Sequence, residues 1–366
     1  MSSRTSGLTR TAAIAASGIA DGLHLGVQVY ASVGGATVAD LAVGEARPGV
    51  ALTSDSIMLW MSSGKPVAAV AIAQLWERDA LALDDPVSRI VPAFGAHGKE
   101  GVTIRHLLTH TGGFRFVEPG WRDVTWDQII ADISAAPLEP GWSPGARAGY
   151  HPSSSWYMLA EIVRRLDGRP FYGYVRDEIL EPLGLHDSWI GIPADRLRAY
   201  GDRVSGFYDT QGEAPLPSLA DGEARGFVYR PGGSGRGPIR ELGKFYEMLL
   251  AGGGRILMPQ TVEALTAGHR IGMFDETFHH VIDWGLGFIL ASNQYGPDTV
   301  PYGYGPYCSR RTFGHSGFQS STAFCDPERG LVVAWAANGT PGEVRHQGRL
   351  VALNTAIYED LGLTAR

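Results

Sequence analysis

Hydrophobic and polar positions alternate along two separate parts of the chain, one near each end. Residues 26–32 and 36–43 alternate on either side of Gly34-Gly35, which predicts a β-hairpin with a tight turn at the two glycines. Four further strands are predicted toward the C-terminus, at residues 284–291, 312–314, 319–325 and 331–337.

Most of the remaining pattern is typical of helices. Six helices are predicted, at residues 8–21, 63–77, 153–167, 170–180, 238–251 and 344–360. The fifth ends at Gly252-Gly253-Gly254, a strong stop signal. Residues 78–150 are expected to form helical pieces separated by Pro and Gly, including one at 104–109 before the turn Gly112-Gly113. Residues 201–238 are predicted to be loop.

This order of elements predicts an α+β fold. Strands occupy both ends of the chain and helices the middle, which favours an antiparallel β-sheet flanked by N- and C-terminal helices, with an inserted all-helical lobe. We expect residues 1–75 and 235–366 to form the sheet lobe and residues 76–234 the helical lobe. The active site is then expected at the interface between them.

Composition narrows the class of protein. Of the 366 residues, 44% are hydrophobic and 19% charged, which is typical of a globular protein. The net charge is −7 and no run of basic residues occurs, so nothing indicates nucleic-acid binding. Cys308 and Cys325 are too few for a disulfide framework and are expected to be free, although a single bridge stays open.

No segment is long enough to span a bilayer, so no membrane partner is predicted. Residues 11–20 follow Arg4 and Arg10 and have some features of a signal peptide. That run is rich in alanine and a strand follows almost at once, so we interpret it as a first helix and predict a cytoplasmic protein.

The strongest chemical signal is Ser62-Ser63-Gly64-Lys65, which lies where an apolar helix begins. A serine hydroxyl needs a base to become a nucleophile, and residues three apart share a helix face. A lysine placed among apolar neighbours has a lowered pKa and can take the proton. The simpler alternative is that Ser62 caps the helix, with Pro66 just inside it.

Two further segments carry candidate chemistry. Tyr150 follows a Pro- and Gly-rich loop, and its hydroxyl can relay a proton if a nearby cation lowers its pKa; otherwise it is a packed aromatic residue. Ser153 is a candidate cap for the helix that follows. The segment 314–318, Gly-His-Ser-Gly-Phe, lies between two predicted strands, either at the rim of a cleft or as a simple turn.

In this order the three segments resemble the serine hydrolases of the β-lactamase and penicillin-binding-protein superfamily. The resemblance is closest to the class C β-lactamase-like branch, which includes family VIII carboxylesterases and related transacylases. Ser62 to Lys65 matches the first motif, S-x-x-K; residues 150–152 stand at the second, usually Y-x-N; residues 315–317 stand at the third, K-T-G or H-x-G. The stretch 102–113, V-T-I-R-H-L-L-T-H-T-G-G, also resembles the family, and the likeness extends from about residue 20 to 360.

The resemblance implies roles for individual residues. Ser62 is expected to form an acyl-enzyme, with Lys65 and Tyr150 sharing general-base and general-acid duty. The oxyanion is expected to be held by the backbone amides of Ser62 and Phe318, beside the third-motif residues His315, Ser316 and Gly317. His110 is expected to be structural.

No cofactor and no metal are predicted, because the adjacent His279 and His280 lack ligand spacing.

Two departures from the family pattern bear on the substrate. Pro152 replaces the Asn of Y-x-N, whose side-chain amide normally faces both the substrate amide and the lysine. His315 replaces the Lys of K-T-G, and a neutral imidazole is a weaker partner for a substrate carboxylate. Both changes argue against efficient β-lactam hydrolysis and favour ester-like substrates.

The sequence therefore predicts a serine esterase or acyltransferase whose partner is a small-molecule ester or acyl donor and acceptor. Tyr302, Tyr304 and Tyr307 are candidates for the acyl pocket, or part of an ordinary loop. A D-amino-acid amidase or peptidase, a β-lactamase-type enzyme, and a ligand-binding relative without turnover stay open as alternatives. The oligomeric state also stays open.

Overall fold

A seven-stranded antiparallel sheet organises the protein. The structure is a computed structural model that describes residues 7–117, 124–218 and 229–365. Its β-strands are β1 (Gly26–Val33), β2 (Ala36–Arg47), β3 (Val50–Ala51), β4 (Met58–Leu59), β5 (Trp189–Ile190), β6 (Tyr208–Asp209), β7 (Leu216–Pro217), β8 (Gly235–Gly237), β9 (Phe274–Asp275), β10 (His280–Val281), β11 (Ile289–Leu290), β12 (Phe313–Gly317), β13 (Ser321–Asp326), β14 (Leu331–Ala337) and β15 (Gly339–Thr340). The large sheet has the order β11-β12-β13-β14-β1-β2-β3, so the two ends of the chain meet where β14 pairs with β1.

Along the sequence, most helices lie between the N-terminal and the C-terminal strands of the large sheet. They are α1 (Thr9–Ala20), α2 (Lys65–Glu77), α3 (Ile104–Leu108), α4 (Trp126–Ala135), α5 (Ser154–Asp167), α6 (Phe171–Val175), α7 (Ala194–Tyr200), α8 (Ile239–Leu250), α9 (Pro259–Thr266) and α10 (Glu343–Asp360). Helices α1 and α10 begin and end the described fold, as the sequence predicts. The α+β class is therefore confirmed, and the lobe boundaries at 75 and 235 stay a prediction.

Both faces of the sheet are buried, since alternate residues of each strand enter different cores. Val27 and Val29 on β1 pack in one hydrophobic cluster with Leu353 and Ile357 of α10. Tyr30, on the opposite face of β1, belongs to a second cluster that contains residues of α2, α5 and α8. The sheet is thus a middle layer between the terminal helices and the internal ones.

The predicted hairpin at the N-terminus is confirmed. β1 and β2 pair antiparallel, and Gly34 and Gly35 have φ angles of 57° and 79°. These values are the left-handed conformation that a tight hairpin turn needs and that glycine adopts without strain.

Two predictions about the second half of the chain are wrong in part. Residues 284–291 hold only the two-residue strand β11, because Gly285 and Gly287 bring the backbone against neighbouring elements: a Cβ on Gly287 would lie 2.5 Å from that of Ala69. The supposed loop 201–238 contains β6, β7 and β8; β6 and β8 pair with strands distant in sequence, and β7 pairs with β6. Residues 219–228 lie outside the described range.

The two cysteines are unpaired, with Cys325 buried and Cys308 half-buried. Among the residues that the structure describes, no helix combines the length and apolar character needed to cross a bilayer.

Candidate active site

Ser62 lies in a short 3-10 turn, Met61–Gly64, that leads directly into α2. The predicted helix start at residue 63 is therefore a tighter turn, and Lys65 is the first α-helical residue. Met61 has a φ of 49°, a strained value for a side-chain-bearing residue that is tolerated only when the surroundings fix it. Ser62 is thus held at a sharp corner between β4 and α2.

The sheet fixes this corner. The hydroxyl of Ser321 on β13 donates to the carbonyl of Trp60 at 2.6 Å and contacts the hydroxyl of Ser63 at 2.9 Å. Gly317, the last residue of β12, approaches so closely that a Cβ there would lie 2.5 Å from the Trp60 oxygen. Glycine at the third motif is therefore needed for the sheet edge to pack against the nucleophile turn.

Lys65 is buried and touches Ser62. Its Nζ lies 2.8 Å from Ser62 Oγ, 3.0 Å from the carbonyl oxygen of Pro152 and 2.6 Å from that of Gly232. Burial lowers the pKa of Lys65 well below its ordinary value, and the nearby positive charge of Arg230 lowers it further. The contacting oxygens include no carboxylate that could restore the charge.

The three contacts of Nζ indicate how a neutral Lys65 is oriented. A carbonyl oxygen can only accept, so the Pro152 and Gly232 carbonyls take the two N–H groups of the neutral amine. The remaining lone pair then faces Ser62 Oγ and can accept its proton. The buried lysine is therefore arranged as a base for Ser62.

Tyr150 is the second side chain in contact with Ser62. Its hydroxyl donates to Ser62 Oγ at 2.9 Å, and its ring stacks on Phe278 with centroids 4.8 Å apart. The expectation that a cation lowers the pKa of Tyr150 is wrong. Burial raises that pKa because the site desolvates the phenolate, and the negative charge of Asp275 raises it further. Tyr150 is consequently a neutral donor.

The backbone around Tyr150 is anchored by buried polar groups. Asp275 accepts from the Tyr150 N–H at 3.1 Å and forms a buried ion pair with Arg270 at 2.9 Å. His110 Nδ1 accepts from the N–H of His151 at 3.0 Å, and burial lowers the His110 pKa well below its usual value. His110 is therefore a neutral acceptor under the second motif, in keeping with its expected structural position.

Pro152 keeps one of the two contacts that its replacement of Asn was expected to lose. Its main-chain carbonyl accepts from Lys65, while its ring lines the cavity in front of Ser62 and offers no hydrogen bond there. Ser153 follows at the start of α5, but its side chain makes no capping hydrogen bond, so the predicted cap is wrong; it too lines the cavity.

The residues of the third motif lie on strand β12 and differ in whether they face the core or the cavity. His315 is 1% exposed and packs against Trp284, and its Nδ1 lies 2.8 Å from the Ser316 carbonyl oxygen. Burial lowers the His315 pKa to about 3, so the imidazole is neutral. The ring lies in the core and His315 is not among the residues that line the cavity, so its predicted part in substrate binding stays a prediction. Ser316 and the half-exposed Phe318 line the cavity instead.

A cavity of about 770 Å³ opens in front of Ser62. Its walls are largely apolar and include Tyr157, Phe278, Ile289, Tyr302 and Phe318. Of the three tyrosines proposed for an acyl pocket, Tyr302 lines the cavity. The other two lie elsewhere: Tyr304 is buried and donates to the Ile289 carbonyl at 3.0 Å, and Tyr307 packs beside Tyr358.

Among the cavity residues that sequence reasoning missed, two bring polar groups to it that bear on its chemistry. Gly232 supplies a carbonyl to Lys65, and the Pro-Gly-Gly-Ser-Gly run at 231–235 was the signal that could have drawn attention to it. Glu343, the first residue of α10, brings a carboxylate to the cavity wall, and nothing in its local sequence indicates that position.

The described residues contain no group of three or more His, Cys, Asp or Glu side chains arranged to hold a metal ion. His280 uses its Nδ1 on the Val281 carbonyl and its Nε2 on Thr299.

Comparison with known proteins finds similarity to β-lactamase-like proteins, penicillin-binding-protein homologues and esterases. The model of the family described as Beta-lactamase matches residues 12–356. Esterase EstB of Burkholderia gladioli is 26% identical over 347 residues, covering 84% of this chain and 83% of its own. A crystal structure of a penicillin-binding-protein homologue from Caulobacter crescentus is 30% identical, with a TM-score of 0.79 and coverage of 98% and 99%. A family VIII carboxylesterase structure is 25% identical, with a TM-score of 0.78 and coverage of 98% and 99%.

Proposed function

The chain belongs to the Beta-lactamase family of serine hydrolases, and on that premise we propose that it is a serine esterase or acyltransferase that reacts through an acyl-enzyme at Ser62. The observation that carries the proposal is the position of Ser62 Oγ, 2.8 Å from the nitrogen of a buried lysine and 2.9 Å from a tyrosine hydroxyl. The proposed base and the proposed proton donor are thus both within hydrogen-bond reach of the proposed nucleophile.

In the proposed acylation step, Ser62 Oγ attacks the ester carbonyl carbon while its proton passes to the lone pair of Lys65. The carbonyl oxygen becomes an oxyanion, which the backbone amides of Ser62 and Phe318 would hold; removing such a donor typically costs ~10²–10³ in rate. The C–O bond then breaks, and the departing oxygen takes a proton through the Tyr150 hydroxyl, which Lys65 reprotonates. Attack on the acyl-enzyme by water gives hydrolysis, and attack by an alcohol or amine gives acyl transfer.

The site favours esters over amides for a specific reason. Pro152 presents a ring to the cavity where the family pattern has a side-chain amide, so a substrate amide finds no partner there. A buried polar group without a partner costs ~1–3 kcal/mol, which an ester avoids on its leaving-group side. Amidase, peptidase and β-lactamase activities are therefore the weaker alternatives.

A burst assay with a p-nitrophenyl ester tests the proposal, combined with intact-mass analysis after a fluorophosphonate label. We expect a stoichiometric burst and one added label in the wild type, and neither in Ser62→Ala. Ser63→Ala is the matched control, because it removes the neighbouring hydroxyl, which contacts Ser321 and not Lys65. Labelling that persists in Ser62→Ala would place the nucleophile elsewhere.

The same assay separates the remaining alternatives. Adding an alcohol acceptor should divert product from acid to ester if the protein is an acyltransferase. A labelled protein that turns over no ester or amide lacks its acceptor, and a protein that is not labelled is a ligand-binding relative.

A further inference from the structure

Glu343 is a carboxylate in the reaction cavity that the proposed chemistry does not use. It begins α10 and lines the same cavity as Ser62. Within residues 7–117, 124–218 and 229–365, no lysine, arginine or histidine forms an ion pair with it. Its hydrogen-bond partners there are the hydroxyl of Tyr302, at 2.9 and 3.0 Å from the two oxygens, and the amide nitrogen of Gln319, at 3.1 Å.

These partners fix the carboxylate in one orientation. Gln319 donates to Glu343 and accepts from the Gly342 N–H at 2.8 Å, so one side chain ties the start of α10 to the loop after β12. Glu343 is the first residue of α10, and the N-terminal end of a long helix favours a negative charge. Burial raises the pKa of Tyr302 and the charge of Glu343 raises it further, so the Tyr302 hydroxyl stays a donor.

A row of aromatic rings connects Glu343 with the nucleophile. Tyr150 stacks on Phe278 at 4.8 Å between centroids, and Phe278 meets Tyr302 at 5.7 Å. Tyr150 touches Ser62 at one end of the row, and Tyr302 touches Glu343 at the other. Ring faces attract cations, most strongly when water is partly excluded.

We infer that the cavity binds esters that carry a cationic nitrogen, with that nitrogen against Glu343 and the connecting chain along Phe278 and Tyr302. The inference rests on the proposed function, since it names the substrate class of the same site. Arg230 also lines the cavity and, after burial, is the further cause that lowers the pKa of Lys65, so a guanidinium lies toward the Ser62 end and a carboxylate at the other. A substrate with its ester at Ser62 and its cation at Glu343 matches this polarity.

The test compares two esters of equal shape and different charge. The p-nitrophenyl esters of 4-(trimethylammonio)butyrate and 5,5-dimethylhexanoate differ only in a quaternary nitrogen against a quaternary carbon. We expect the cationic ester to have a kcat/KM about tenfold higher, a difference of about 1.4 kcal/mol. Raising the salt concentration should reduce this preference, because the carboxylate is solvent-accessible. A second pair with the charge on the alcohol side shows which half of the ester carries the cation.

Glu343→Gln is the decisive variant. The amide keeps the size of the side chain and removes its charge, so the ratio of the two kcat/KM values should fall to about one. Glu359→Gln is the matched control, since it removes a carboxylate from the other end of α10, beside Arg10, and should leave the ratio unchanged. A wild-type ratio near one, or a ratio that Glu343→Gln leaves unchanged, would overturn the inference.

Binding to Ser62→Ala separates this inference from the proposed function. Calorimetry on that variant measures the affinity for both intact esters without turnover, and the cationic ester should bind more tightly only if Glu343 is intact. Turnover of both esters without a charge preference would leave the esterase proposal standing and refute the cation site. A charge preference in binding, with no labelling of Ser62 in the wild type, would leave the cation site standing and refute the esterase proposal.

Discussion

The two ends of the cavity in front of Ser62 differ in burial and in whether main-chain or side-chain groups contact their ionisable residue. At the reacting end, Lys65 is buried and two of its three contacts are main-chain carbonyls, those of Pro152 and Gly232. At the far end, Glu343 is solvent-exposed and its contacts come from the side chains of Tyr302 and Gln319. The proposed base is thus held by main-chain groups in a buried region, and the proposed cation site by side chains in a solvent-exposed one.

This difference follows from what each end has to do. A lysine must lose its charge to act as a base at neutral pH, which requires burial and uncharged acceptors. A carboxylate that recognises a cation must keep its charge, which water and a helix N-terminus favour. Changes at the reacting end should therefore abolish turnover, and changes at the far end should only alter its selectivity.

The largest effect is expected for Lys65→Arg. A guanidinium stays protonated and cannot accept the Ser62 proton, so the acylation rate should fall by about a thousandfold. Stopped-flow measurement of the p-nitrophenyl ester burst checks this, with the exposed Lys244→Arg as control. A near-normal burst in Lys65→Arg would show that Lys65 acts through its charge alone and would break the comparison at its reacting end.

The next effect concerns stability and its dependence on pH. The unfolded chain binds a proton at Lys65 below pH ~10.4, whereas the folded protein binds it only below a lowered pKa. Between these two pKa values the unfolded state holds the extra proton, so the wild type gains stability as the pH rises, by ~1.4 kcal/mol per unit. Lys65→Met has no amine at this position and therefore lacks this pH-dependent contribution to the free energy of unfolding.

Urea unfolding at a series of pH values measures this difference. The free energy of unfolding of the wild type minus that of Lys65→Met should increase with pH. Lys244→Met, which replaces an exposed lysine, is the matched control variant. A flat difference for Lys65→Met would mean that the folded protein carries a charged Lys65.

The smallest expected effect is that of Pro152→Asn on selectivity. A restored side-chain amide offers a partner to a substrate amide, so the ratio of amide to ester kcat/KM should rise by about tenfold, or ~1.4 kcal/mol. Pro152→Ala is the control, since it removes the ring without adding an amide. Equal scaling of both activities in Pro152→Asn would show that position 152 only shapes the start of α5.

Sequence reasoning predicted those parts of the molecule whose geometry is local. The hairpin follows from alternation around two glycines, and the contact of Ser62 with Lys65 follows from a spacing of three residues. The resemblance to a known family also connected three segments that are distant in sequence, and Ser62, Tyr150 and Ser316, one from each segment, line the same cavity.

The remaining features depend on contacts between distant segments. Gly232 reaches Lys65 across a sequence separation of 167 residues, and His315 turns into the core because Trp284 and Tyr150 lie beside it. The raised pKa of Tyr150 likewise arises from its burial in the assembled site, which no single motif encodes.

The carbonyl contacts of Lys65 also bear on how such a site can evolve. Every amino acid carries a main-chain carbonyl, so position 152 can exchange its side chain while the lysine keeps that acceptor. Substitutions at position 152 are therefore expected to change the lining of the cavity without removing this acceptor from Lys65. Position 232 leaves no such room for a side chain, because a Cβ there would lie 3.0 Å from Nζ of Lys65 and 2.9 Å from the ring of Trp156.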